Sequence, residues 1–161
     1  KIHGNNMELI DLIEYKLPNK DDHSAKLSKI FKKTSELIKY HNPDLIAIEA
    51  PFFGKNVQSM LKLGRAQGVS MAAALNFDIP ITEYSPKKIK MAITGNGNSS
   101  KEQVAKMLKS MLKIKELPKN LDSTDGLAAA VCHFFNFDNK NPKKQYSNWS
   151  SFINKNPDKI I

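Results

Sequence analysis

Residues 44–49 constrain the fold of this chain more than any other segment. Their sequence, Asp-Leu-Ile-Ala-Ile-Glu, is almost wholly apolar and follows Asn42-Pro43, a pair that ends helices. A run this short and apolar is typical of a strand buried on both faces, as in the parallel sheets of α/β proteins. The run ends in Glu49, and a charge there is costly unless another group compensates it. We therefore expect an α/β domain with Glu49 in a functional site.

Helical and strand patterns alternate along the rest of the chain. Apolar spacing predicts helices over residues 23–41, 56–76, 86–93, 99–114 and 122–135, with a capping box between Ser99 and Glu102. Strands are predicted over 7–16, 44–49 and 79–84, one of them at an antiparallel edge. Residues 1–135 then form one domain. Residues 136–161 form a tail rich in Lys, Asn and Pro, in which the apolar residues of 146–153 are expected to dock as a short helix.

The charge of the chain is positive and concentrated. The formal net charge is +9, and nine lysines against two glutamates lie within residues 86–119. The simplest interpretation is a set of solvated helix faces, but the bias of a whole segment favours a polyanion surface, and nucleic acid is the commonest such partner. The single cysteine, Cys132, cannot form a disulfide within these residues. With no apolar run long enough to span a membrane, we expect a cytoplasmic protein.

Two further carboxylates accompany Glu49. Asp122 and Asp125 lie three residues apart at the start of a predicted helix, so both can project from one face. Both residues also fit purely structural roles, Asp122 as an ordinary N-cap and Asp125 as a first-turn acid that the helix dipole favours. If they meet Glu49 across the fold, the three carboxylates form a magnesium site that water and substrate phosphates complete.

Several segments around these acids resemble the RuvC family of Holliday-junction resolvases. They are residues 48–56 (Ile-Glu-Ala-Pro-Phe-Phe-Gly-Lys-Asn), 61–68 (Leu-Lys-Leu-Gly-Arg-Ala-Gln-Gly), 95–97 (Gly-Asn-Gly) with Lys101, and 122–128 (Asp-Ser-Thr-Asp-Gly-Leu-Ala). The resemblance extends to about residue 135, and the tail is similar to those of a Bacteroidetes-like branch. It implies an RNase H-like fold, with a mixed five-stranded sheet flanked by helices. It also implies a homodimer that nicks two opposing strands of a four-way junction.

The same resemblance assigns the acids. Glu49, Asp122 and Asp125 match three of the family's four catalytic carboxylates, which bind Mg²⁺, with Mn²⁺ as an alternative. The family's first carboxylate lies in an Ile-Asp-Pro-Gly-type motif on the central opening strand, and this sequence contains no such motif. We therefore expect that the printed chain begins in the family's second strand and lacks an N-terminal piece.

The resemblance also assigns DNA-contacting and dimer residues. Phe52 is expected to stack on a junction base while Phe53 packs inward, and Lys90 and Lys101 are expected near the scissile backbone. Lys55 either contacts a phosphate or merely lies beside a helix start, and Lys87 and Lys88 are expected to contribute general electrostatics. Gly64 and Gly68 form a small-residue face that either packs on the sheet or forms the dimer interface.

These features predict a structure-selective endonuclease that resolves Holliday junctions by symmetric, metal-dependent hydrolysis in DNA recombination and repair. The expected partners are four-way junction DNA and the branch-migration proteins RuvA and RuvB, with no membrane. Two alternatives remain open at the level of sequence. One is another RNase H-like nuclease, and the other is a non-catalytic junction-binding protein with an incomplete active site.

Overall fold

The computed structural model describes residues 1–4, 6–51, 56–116 and 123–137. These residues contain five helices and four short strands. In chain order they are β1 (Ile2–His3), β2 (Asn6–Met7), α1 (His23–His41), β3 (Ile46–Glu49), α2 (Val57–Leu75), β4 (Ile81–Tyr84), α3 (Pro86–Thr94), α4 (Lys101–Met111) and α5 (Ser123–Phe137). The alternation of helices with β3 and β4 is that of an α/β domain, as predicted.

The strands form two pairs. β3 and β4 run parallel, in a register that places Ile46 opposite Ile81 and Glu49 opposite Tyr84. The pairing continues one step further, because the Ala50 N–H donates to the Tyr84 carbonyl at 2.8 Å. β1 and β2 form an antiparallel pair. Within the described part of the chain, the other edge of β3 has no strand partner.

The prediction of a strand over residues 7–16 is wrong for all but its first residue. Only Met7 belongs to a strand, and residues 8–18 have no regular secondary structure. The apolar residues there come in adjacent pairs, Leu9-Ile10 and Leu12-Ile13, so they cannot all lie on one face of a strand. Ile10 and Ile13 are about half exposed, and after the bond from the Glu8 N–H to the Lys1 carbonyl the segment pairs with no strand among the described residues.

The helix boundaries follow local capping chemistry. Asp22, Asn56 and Ser85 accept hydrogen bonds from backbone N–H groups in the first turns of α1, α2 and α3. The predicted capping box of α4 is shifted by one residue, because Ser100 and Gln103 form it. Ser99 is instead buried, with its hydroxyl 2.7 Å from that of Thr94. The helix also ends at Met111, earlier than predicted.

The main core lies between β4 and the last three helices. It is built from apolar side chains of these elements: Tyr84, Ile89, Ile93, Val104, Leu108, Ala128, Ala129, Val131 and Cys132. A smaller cluster of Ile38, Ala74 and Ile79 joins α1 and α2 to the start of β4. α5 packs against β3, β4, α3 and α4, so its first turn is held beside the end of β3. No helix among the described residues is long and apolar enough to cross a bilayer.

Candidate active site

A cavity of about 800 Å³ opens along β3 and contains the charged residues of the candidate site. Glu49 comes from the end of β3, Lys90 from α3, Lys101 from the start of α4 and Asp125 from the first turn of α5. The rest of the lining is largely apolar and comes from β3 and from all five helices. The fold thus brings together four predicted site residues from four separate elements.

Lys101 and Asp125 form an ion pair across this cleft. The Lys101 Nζ lies 3.2 Å from Asp125 Oδ2, and the two side chains are 51% and 38% exposed. Because both groups remain open to water, the pair is weak enough to exchange for other partners. A cation can replace the lysine at the carboxylate, and an anion can replace the carboxylate at the lysine.

Glu49 carries the perturbed carboxyl group of the cleft. Partial burial raises its pKa, and the negative charge of Asp125 raises it further, while Lys101 and Lys90 act in the opposite direction. A carboxyl that is desolvated beside a second carboxylate is costly to ionise, and a bound divalent cation relieves that cost. Two hard oxygen donors in one cleft fit Mg²⁺ or Mn²⁺.

Three of the predicted site residues cannot be placed. Asp122, Phe52 and Lys55 lie outside the described residues. Among the residues that the structure does describe, no group of three or more potential His, Cys, Asp or Glu ligands occurs, and the described acidic pair is Glu49 with Asp125.

The Gly-Asn-Gly turn connects the two lysine-bearing helices. Gly95 ends α3 with φ of 74°, a conformation that favours glycine. A Cβ on Gly97 would lie 2.7 Å from Lys87 Cγ, so the stem of Lys87 packs directly on the turn. The hydroxyl of Thr94 lies 2.8 Å from the Lys90 carbonyl oxygen and accepts a bond from the Asn96 N–H at 3.2 Å. The turn therefore fixes the separation between Lys90 and Lys101.

Lys87 and Lys88 also pack against their neighbours. The Lys87 stem covers Gly97. The Lys88 Nζ lies 5.0 Å from the centre of the Tyr84 ring, in a cation–π contact. That the two lysines contribute general electrostatics stays a prediction.

Gly64 and Gly68 lie exposed on α2. A Cβ on either glycine would have no neighbour within 4 Å, so packing on the sheet does not require glycine at these positions. Val57, Leu61 and Leu75 on the same helix are 63%, 51% and 61% exposed. The structure thus shows open space at both glycines, and the choice between the two interpretations of this face stays a prediction.

Two residues beside the charged groups were missed by the sequence analysis. Thr124 is almost fully buried next to Asp125 and lines the cleft. Gln67 of α2 places its Nε2 3.4 Å from the Glu49 carbonyl oxygen and 3.2 Å from Glu83 Oε2. Two sequence signals pointed to Gln67: its place in the family-like segment 61–68, and a polar side chain among small residues on α2, which a surface position would explain equally well.

His133 lies on the core side of α5, away from the charged residues that line the cleft. It is buried, and its Nδ1 is 2.9 Å from the Tyr84 hydroxyl. The hydrogen bond joins β4 to α5 inside the core. His133 therefore has a packing role in the core.

The fold and the cleft together define an RNase H-like α/β domain of the nuclease class. The family model described as crossover junction endodeoxyribonuclease RuvC matches residues 2–133. The chain belongs to the RuvC family.

Curated relatives with that name cover almost the whole chain. The protein from Christiangramia forsetii is 62% identical over 99% of this chain and 83% of its own length. The protein from Porphyromonas gingivalis is 56% identical over 98% of this chain and 86% of its own length. The similarity to proteins of this branch confirms the predicted resemblance to Bacteroidetes members.

Two solved structures confirm the fold class. Thermus thermophilus RuvC in complex with Holliday junction substrate has a TM-score of 0.80 and 27% identity, over 86% of this chain and 84% of that chain. A second Thermus thermophilus RuvC structure has a TM-score of 0.71 and 28% identity, over 78% and 76% of the two chains.

Proposed function

We propose that this chain supplies the active site of an endonuclease that resolves four-way DNA junctions during recombination and repair. The observation that carries the proposal is the convergence of Glu49, Asp125, Lys90 and Lys101 in one cleft of a RuvC-family domain. A relative of the same fold is described in complex with Holliday junction substrate, which supports this substrate over those of other RNase H-like nucleases.

Glu49 and Asp125, together with Asp122, are the proposed ligands of Mg²⁺, with Mn²⁺ as the alternative. The ion, when bound, supplies water activation and stabilises the charge that develops on the phosphate. The chain's own contribution is to keep the carboxylates close at the end of β3 and the start of α5. The packing of α5 on β3 supports this assignment.

Lys90 and Lys101 are proposed to bind the phosphates that flank the scissile bond. Their side chains line the same cleft as the carboxylates, and the Gly95–Gly97 turn connects the two helices that carry them. When Asp125 binds the metal, the pair with Lys101 opens and the lysine becomes available to a phosphate oxygen. Base stacking by Phe52 and a phosphate contact by Lys55 stay predictions from the family resemblance.

A homodimer with α2 at its seam is proposed, because a four-way junction presents two equivalent strands and a paired cut needs two equivalent sites. The open space at Gly64 and Gly68 supports this seam. The branch-migration proteins RuvA and RuvB are the proposed partners, and the cytoplasm is the proposed location.

The family resemblance implies four catalytic carboxylates. Glu49, Asp122 and Asp125 match three of them, and the fourth has no match in this sequence. By the same resemblance, this carboxylate lies in an Ile-Asp-Pro-Gly-type motif on the central opening strand of the sheet. We call the chain joined to such a strand, with its Ile-Asp-Pro-Gly-type motif, the four-carboxylate form. The alternative of a non-catalytic junction-binding protein predicts that this form binds junctions and does not cut them.

Cleavage of a synthetic four-way junction by the four-carboxylate form tests the proposal. Glu49→Gln or Asp125→Asn should abolish cutting and leave junction binding within a few fold, because phosphate contacts dominate the affinity. Asp44→Asn, which changes an exposed acid outside the cleft, is the matched control and should cut normally. An active Asp125→Asn variant would rule out the assigned site, and an inactive parent form would favour the non-catalytic alternative.

A further inference from the structure

Gln67 links the middle of α2 to the ends of both parallel strands. Its amide nitrogen carries two hydrogens and can donate both, one to the Glu49 carbonyl at 3.4 Å and one to Glu83 Oε2 at 3.2 Å. The residue is partly buried and lines the cleft. It is therefore the point at which α2 touches the backbone of the proposed metal ligand.

Glu83 determines how the amide of Gln67 is oriented. An ionised carboxylate only accepts hydrogen bonds, so it selects the NH₂ end of the amide and turns the amide oxygen away. Glu83 pairs with Ile48 in the ladder, one position before Glu49. The same NH₂ group is thereby presented to the Glu49 carbonyl. Gln67 thus joins Glu83 and Glu49 in a short chain of hydrogen bonds that connects β4, α2 and β3.

Gln67 adds a second restraint to the peptide between Glu49 and Ala50. On one side of this peptide, the Ala50 N–H donates the last ladder bond of β3 to the Tyr84 carbonyl. On the other side, the Glu49 carbonyl accepts from Gln67. The next residue, Pro51, has no N–H and cannot extend the ladder. A peptide held on both sides resists rotation, and this limits how far the Glu49 side chain can swing.

We propose that Gln67 is a positioning residue, which holds the backbone of Glu49 so that its carboxylate meets Asp125 in the geometry a metal ion requires. The inference rests on the proposed role of Glu49 as a metal ligand. Groups that act through a ligand in this way typically change metal affinity or activity by roughly 10- to 100-fold when they are removed.

The test uses single-turnover cleavage of a four-way junction by the four-carboxylate form, over a Mg²⁺ titration. Gln67→Leu removes both donated bonds and should cut roughly tenfold more slowly at limiting Mg²⁺. Junction affinity should stay within about twofold, because Gln67 itself contributes no charge to the phosphates. Raising Mg²⁺ should recover much of the rate. Gln58→Leu, the same change at an exposed position of α2, is the matched control and should be unaffected.

A double variant separates positioning from simple packing. Gln67→Glu with Glu83→Gln restores a hydrogen bond between positions 67 and 83 with its polarity reversed, but leaves no donor for the Glu49 carbonyl. We expect this variant to melt near the parent and to remain slow at limiting Mg²⁺. If Gln67→Leu fails to fold, the double variant still tests the positioning role of Gln67.

The outcomes distinguish the inference from the function on which it rests. Parental cutting by a folded Gln67→Leu variant, or by the double variant, would overturn the positioning role while leaving the site intact. A slow rate that Mg²⁺ does not improve would also overturn it, because the defect would then lie elsewhere than in metal binding. Normal cutting by Glu49→Gln, measured in parallel, would instead overturn the proposed metal site.

Discussion

At Glu49, burial and the neighbouring charges of three helices act on one carboxyl group. Burial and Asp125 of α5 raise its pKa, while Lys101 of α4 and Lys90 of α3 lower it by less. A raised pKa means that the folded protein holds this proton more tightly than the unfolded chain does. The stability gained is present at low pH and is lost as pH rises through the pKa of the folded state.

The first prediction follows from that sign. In metal-free buffer at pH 7, Glu49→Gln should unfold at a higher temperature than the parent, because the glutamine carries no desolvated charge. The difference should disappear below the ordinary glutamate pKa of 4.5, where both side chains are neutral. Thermal melts across this range check it, with Glu116→Gln at an exposed position as the control. The same difference in melting temperature at every pH, or a Glu49→Gln variant that melts below the parent at pH 7, would contradict the prediction.

The second prediction concerns Lys101. Because its ammonium group pairs with Asp125, Lys101→Met should tighten Mn²⁺ binding in the absence of DNA. The change should be roughly two- to fivefold, in line with the up to about 1 kcal/mol that exposed ion pairs contribute. Cutting should nevertheless slow, since a phosphate contact is lost. Calorimetry measures the metal affinity, and Lys106→Met, an exposed lysine of the same helix, is the control. Weaker metal binding by Lys101→Met would show that the pair does not compete with the ion.

At the scale of elements, the helices were predictable and the strands were so only in part. α1 and α2 were predicted to within one residue at each end, because an apolar stripe and an N-cap are both local signals. The strand over 7–16 failed because a strand also depends on a partner that local sequence does not specify. The convergence of Glu49 with Asp125 was anticipated through the family resemblance. The Gln67 contact was not, because it depends on how α2 lies over β3.

The third prediction belongs to the turn between α3 and α4. Gly97→Ala should lower the melting temperature by about 2–4 °C, as a loss near 1 kcal/mol does in a domain of this size. The cause is the 2.7 Å approach of the new Cβ to Lys87 Cγ. Adding Lys87→Ala should recover part of the loss, although the Lys87 carbonyl oxygen at 3.3 Å would remain close.

The control for this prediction is Gly126→Ala in α5, where an added Cβ meets nothing within 4 Å. It should be neutral or slightly stabilising, since alanine favours a helix over glycine. Equal losses at positions 97 and 126, or no recovery in the double variant, would show that the contact with Lys87 is not the cause.

At the scale of the whole molecule, the pattern of exposure on α2 supports the proposed seam between two copies. Val57, Leu61, Gly64, Gly68, Ala72 and Leu75 follow one another at intervals of three or four residues, and all six are exposed. That spacing places them on a single stripe of the helix. An apolar stripe left open along about 19 residues is unusual for a monomer. The two glycines within it allow a second backbone to approach closely.

The last prediction is that the four-carboxylate form is a dimer across this stripe. Its two sites then make paired cuts in one junction. Gly68→Leu places a bulky side chain where close approach is required and should yield monomers in sedimentation experiments at micromolar concentration. Ser59→Leu introduces the same side chain on the opposite side of α2 and should remain dimeric. Because each monomer holds one site, the Gly68→Leu variant should nick single strands and release few paired products. A wild-type monomer that still makes paired cuts would contradict the model, since one cleft cannot reach two opposing strands at once.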